Sequence, residues 1–125
     1  MTAVRVQDYF FHDEEYAKEF DKKTAEGVEF GKKTDQRGCI EEGLARAKKV
    51  NNPSTKQRAV NSVFVEKCLK SSQAKPGFCD HVPYLQSTDW KESQCTNAGW
   101  KISDNLPCWD VFEEQFDFCK WHSSK

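Results

Sequence analysis

Aliphatic side chains are scarce in this chain. Leu, Ile, Val and Phe together supply only 24 of its 125 residues, a thin core for one domain and too little for two. No run of 18 apolar residues occurs, so no segment reads as a transmembrane helix. The opening residues lack the basic, apolar and small-residue stages of a secretory signal. Charge of one sign does not dominate. A net charge of −1 argues against a general nucleic-acid or membrane-surface binder. Heptads, collagen triplets and longer repeats are missing. No Gly/Ser/Pro-rich linker divides the chain, so one domain is expected.

Catalytic signatures are missing too. There is no G-x-S-x-G, H-E-x-x-H, P-loop or G-x-G-x-x-G. His12 precedes Asp13-Glu14-Glu15, but a general acid–base pair needs burial beside a substrate pocket. A charged helix start offers neither, so an enzyme is not expected and no cofactor is implied.

What the sequence does have is six cysteines: Cys39, Cys68, Cys79, Cys95, Cys108 and Cys119. No two form a C-x-x-C pair, which disfavours a zinc ribbon, a thioredoxin-type motif and c-type haem attachment. An even count in a chain short of aliphatic residues predicts three disulfides. Pairing would leave no cysteine nucleophile. It also implies an oxidising compartment, so an export signal or anchor is expected upstream of this sequence. A rival reading uses Cys79, His81, Cys119 and His122 as zinc ligands. Their wide spacing disfavours it, and no metal is expected.

The periodicity predicts an all-α fold, a small bundle of about five helices. Residues 1–7 read as a flexible or juxtamembrane lead, 8–122 as one helical domain and 123–125 as a tail. The first helix spans about 8–30, with Phe10, Ala17, Phe20 and Thr24 near one face and Tyr16 beside them. Gly27 and Gly31 should weaken its end. The second helix starts at Thr34-Asp35, with Ile40, Leu44 and Ala47 inside. The turn Asn51-Asn52-Pro53-Ser54 leads to a third helix over about 55–71, striped by Val60, Phe64 and Cys68. An ordered loop covers 72–87. A short fourth helix, capped by Thr88 or Asp89, runs to about Ala98 and ends at Gly99. The fifth opens near Ser103–Pro107 and carries Trp109, Phe112, Phe116 and Cys119 on one stripe.

Folding the second and third helices into a hairpin near residue 52 brings Cys39 to Cys68. Folding the fourth and fifth near residue 101 brings Cys95 to Cys108. Cys79 and Cys119 remain for each other at the outer end of that second hairpin.

Charge is asymmetric along the chain. Residues 35–75 carry nine basic and four acidic side chains; residues 76–125 carry four basic and eight acidic. Arg46, Lys48, Lys49, Lys56 and Arg58 cluster around the Asn51–Ser54 turn and are the candidate partner-binding residues. Asp104, Asp110, Glu113, Glu114 and Asp117 make the last helix acidic. The two charged faces either compensate each other or offer the basic tip to an acidic partner. All four tryptophans, Trp90, Trp100, Trp109 and Trp121, fall late in the chain. Most should fill the space around the fourth and fifth helices, and one exposed tryptophan would be unsurprising. Tyr9-Phe10-Phe11 could pack on the domain or continue a helix from a membrane anchor.

Several segments carry a resemblance: Val6–Phe11, Asp13–Ala17, Asn61-Ser62-Val63-Phe64-Val65-Glu66-Lys67-Cys68-Leu69 and Lys75–Pro83. Together they resemble a group of uncharacterised Gram-negative bacterial proteins with a short N-terminal membrane anchor and a cysteine-rich helical domain outside the cytoplasm. The resemblance implies a periplasmic location, tethered to the inner membrane, and an anchor upstream of Val4. It implies no activity and no catalytic residue.

These readings converge on a non-enzymatic periplasmic domain that binds a protein partner and no nucleic acid. An immunity or inhibitor protein is one specific form. The alternative is a carrier of a small apolar ligand in an aromatic-lined helical pocket. A Cys/His zinc protein ranks below both.

Overall fold

The computed structural model describes residues 14–122. The expected lead at 1–7, the helical turns at 8–13, with His12 and Tyr9-Phe10-Phe11, and the tail at 123–125 lie outside the described residues. Among the described residues five α-helices follow one another: α1 Glu14–Gly31, α2 Gln36–Lys48, α3 Thr55–Ser71, α4 Thr88–Asn97 and α5 Leu106–His122. A 3₁₀ turn, Ile102–Asp104, precedes α5. Among the described residues there is no strand, only an isolated parallel bridge between Asp35 and Gln73. The fold is all-α, as the periodicity predicts.

Local signals set the boundaries. The Asp35 carboxylate caps α2 by accepting from the Gly38 amide at 2.9 Å. Ser54 and Gln57 form a reciprocal capping box at the start of α3. Asn52 takes the left-handed backbone (φ 53°) that the turn before Pro53 requires. The fourth helix is capped by Ser87, which accepts from the Trp90 amide at 3.0 Å, and not by Thr88 or Asp89. Gly99 ends it in the left-handed region (φ 91°), and the Trp100 amide reaches back to the Cys95 carbonyl at 2.9 Å.

Helix α3 is the centre of the bundle. It touches α1, α2 and α5, and α4 rests on α5. Its Phe64, Val65, Cys68 and Leu69 are buried with Ile40 of α2 and Val111 and Phe112 of α5. Trp90, Trp100 and Trp109 pack against this core, whereas Trp121 is exposed. The tryptophan expectation holds.

The first helix is held differently from expectation. Ala17 and Phe20 are exposed, and the buried residues of α1 are Gly27 and Gly31. A Cβ on Gly27 would lie 2.5 Å from the Phe64 carbonyl oxygen, and one on Gly31 would lie 2.6 Å from that of Cys68. The two glycines therefore let the α1 and α3 backbones touch. They form the packing face of the helix besides lowering its intrinsic propensity.

Three disulfides join the elements in the pairs that hairpin geometry predicts. Cys39–Cys68 links α2 to α3, Cys95–Cys108 links α4 to α5, and Cys79–Cys119 links the 72–87 loop to α5. With sequence separations of 29, 13 and 40, chain-entropy arithmetic assigns each bridge about 3–4 kcal/mol. For a core this small, that is a large share of the stability. The loop is further pinned by buried Phe78, whose carbonyl accepts from Gln115 Nε2 at 3.1 Å.

Candidate interaction surface

The five basic residues singled out near the first hairpin do not form one patch. Arg46 is consumed by the fold. Its Nη1 donates to Glu26 at 2.8 Å and its Nε to Glu42 at 2.9 Å, while the guanidinium carbon lies 3.9 Å from the centre of the Phe64 ring. The Arg46 hydrogen bond is the main reason the Glu26 carboxyl sits below the usual carboxylate range. Arg58 makes a two-pronged pair with Asp110, at 2.7 and 2.9 Å, tying α3 to α5. Lys56 Nζ stands 5.3 Å from the Tyr16 ring centre, on the α1 side. Arg46 is thus engaged in ties within the fold, and Lys56 stands on the α1 side.

Lys48, Lys49 and Arg58 do come together. With Val50, Trp100 and Lys101 they line a groove of about 610 Å³ between the α2–α3 turn and the α4–α5 connection. Leu106, at 53% exposure, lies on the same groove, and Ile102, at 74%, is beside it in the chain. Lys48 Nζ lies 5.4 Å from the centre of the Trp100 ring. Basic and apolar residues thus share the lining, with Asp104 as an acidic member. The charge count revealed the lysines of the hairpin. It missed Lys101 and Leu106, because a tertiary contact between two turns brings them there.

A second surface lies at the other end of α3 and α5. Glu66, Leu69, Lys70, Glu114, Asp117, Phe118 and Trp121 line a groove of about 420 Å³. The sequence contains its signal. Asp110, Glu113, Glu114 and Asp117 recur at helical spacing, so like charges share one face of α5 at a cost. Arg58 neutralises Asp110. Glu113 accepts from Lys91 Nζ at 2.6 Å and from Gln86 Nε2 at 2.7 Å. Burial raises the Glu113 carboxyl, but the Lys91 and Gln86 hydrogen bonds outweigh it, and the group titrates below its ordinary range. Glu114 is treated the opposite way. Burial, and then repulsion from Glu66, Asp117, Glu113 and Asp110, pushes it up to about 8. Asp117 is raised as well, by burial and then by Glu113.

Trp121 also lines a neighbouring groove of about 410 Å³ with Val82, Pro83, Tyr84, Lys120 and the Cys79–Cys119 bridge. That bridge consumes both thiolates of the Cys79, His81, Cys119 and His122 zinc set, so the set cannot ligate zinc as thiolates. All three grooves open to solvent and carry charged side chains. None has the enclosed apolar lining expected of a carrier. No protein-family model, curated protein or solved structure matches the chain.

Proposed function

We propose that this chain is a non-enzymatic periplasmic interaction domain, tethered to the inner membrane in its native form, that docks an acidic protein partner at its basic tip. The observation that carries the reading is the 610 Å³ groove, lined by Lys48, Lys49 and Lys101 together with Val50, Trp100 and Leu106. Apolar side chains mixed with charge mainly of one sign are the composition of a protein-docking surface: the apolar groups supply affinity, and the charges supply orientation and encounter rate. Three disulfides support an oxidising compartment outside the cytoplasm. They also hold the two turns of the groove at the ends of stapled hairpins, so little order is lost on binding. Neutralisation of a toxin or of a cell-wall enzyme is the specific form of this role that a small, rigid, charged domain suits.

Photo-crosslinking in cells tests the reading. A crosslinking residue at Lys49 or Lys101 should capture one acidic protein, and the same residue at exposed Glu41 should not. Changing Lys48, Lys49 and Lys101 together to Glu should abolish the adduct. An adduct that survives this charge reversal would contradict the proposal.

A further inference from the structure

We propose that the groove between α3 and α5 is a second docking site, which takes a basic segment of a partner protein by setting a lysine or arginine among Glu66, Glu114 and Asp117 and an apolar side chain against Leu69 and Trp121. The groove lies at the opposite end of α3 and α5 from the basic tip. Its floor is apolar: Leu69 is buried and Phe118 half-buried. Trp121, 70% exposed, lines it too. An exposed tryptophan beside a groove with an apolar floor is the residue type and setting that dominates binding energy at protein interfaces.

Charge complementarity fixes the occupant. Around Glu114 stand Glu66 from α3 and Asp110, Glu113 and Asp117 from α5. Lys70 lines the groove and holds Glu66 at 3.0 Å, Lys120 and Lys91 face Asp117, Lys91 holds Glu113 at 2.6 Å and Arg58 holds Asp110 at 2.7 Å. Among the described residues, no such ion pair reaches Glu114. The carboxylates are also too dispersed for one small ion: among the described residues, no three metal-ligating side chains gather closely enough to hold a metal. A long cationic side chain on a peptide, flanked by an apolar one, matches both the spread of charge and the shape of the groove. Seating that cation favours the ionised form of Glu114, so binding at neutral pH releases a proton and tightens as the pH rises.

The test uses the full chain and a synthetic peptide alternating lysine with leucine, with a glutamate-for-lysine peptide as control. Titration of the ¹⁵N-labelled protein should shift most the indole N–H signal that is missing from the Trp121→Phe spectrum. Trp121→Ala should weaken binding at least about fivefold. Glu114→Gln should weaken it at least about threefold at pH 8, and calorimetry in two buffers of different ionisation enthalpy should show that the proton release is gone. Changing Lys48, Lys49 and Lys101 to Glu should leave the peptide affinity unchanged. The proposal is overturned if the basic peptide does not bind, if the acidic peptide binds as well, if neither groove variant weakens binding, or if the groove proves to be occupied by a second copy of the chain in sedimentation of the protein alone.

Discussion

Arg46 holds three helices at once. From α2 it reaches Glu26 of α1 and Glu42 of its own helix, and it covers the Phe64 ring of α3. Its side chain is about a quarter exposed (26%), so solvent screens the two ion pairs only in part. The stacked, two-armed geometry suits a guanidinium and not an ammonium. Arg46→Ala should cost about 2 kcal/mol in urea denaturation, and Arg46→Lys should recover less than half of it. Full recovery by lysine would mean that charge alone matters there. Glu114 gives a prediction with a pH sign. Its folded carboxyl titrates at about 8, well above the ordinary value of an unfolded carboxyl. The stability linked to its proton is therefore complete below the ordinary carboxylate range and is lost as the pH rises through about 8. Asp117 acts in the same direction, whereas Glu26 and Glu113, with lowered values, lose their contribution as the pH falls. Glu114→Gln mimics the protonated form. It should change stability little at pH 5 and raise it by roughly 1–3 kcal/mol at pH 9. Equal effects at the two pH values would show that Glu114 does not titrate in this range.

The contact between α1 and α3 is a packing of backbones. Gly27→Ala raises intrinsic helix propensity by about 1 kcal/mol, yet the new methyl would sit 2.5 Å from the Phe64 carbonyl oxygen. The variant should therefore lose about 2–3 kcal/mol in chemical denaturation. A gain in stability would mean that α1 packs less closely. This contact also shows what the sequence could and could not convey. Helix α3 was legible because the Ser54 cap and the Val60-Phe64-Cys68 stripe are local signals, and Gln57 completes the cap in the structure. The start of α4 shifted by one residue because Ser87, Thr88 and Asp89 are all competent caps, and tertiary position selects among them. The inner face of α1 was not legible, since apolar periodicity detects side chains and this face is made of glycines. In α5 the buried face is wider than the predicted stripe: Cys108, Val111 and Gln115 are buried beside Phe112, Phe116 and Cys119. The acidic stripe of the same helix was visible in the spacing. Which of its members would be neutralised depends on Arg58 and Lys91 arriving from α3 and α4, which no local pattern encodes.

At the scale of the whole molecule, the disulfides and the charge pattern belong together. A chain with so few aliphatic residues cannot hold two charged ends apart by hydrophobic burial alone. Stapling α2 to α3, α4 to α5 and the 72–87 loop to α5 supplies the missing stability by restricting the unfolded chain. It frees the surface to carry unbalanced charge: a basic groove where the two turns meet and an acidic groove at the other end of α3 and α5. Part of the charge asymmetry is compensated inside the fold by Arg58–Asp110 and Lys91–Glu113. What remains in the two grooves is the part that a partner can use. The measurement that tests this account most directly is the intact mass of the chain recovered from its native compartment, before and after reduction and alkylation. Three disulfides place the untreated mass about 6 Da below the reduced mass, with no cysteine alkylated before reduction. Six alkylatable thiols in the untreated protein would contradict the account, removing both the oxidising compartment and the frame that presents the grooves.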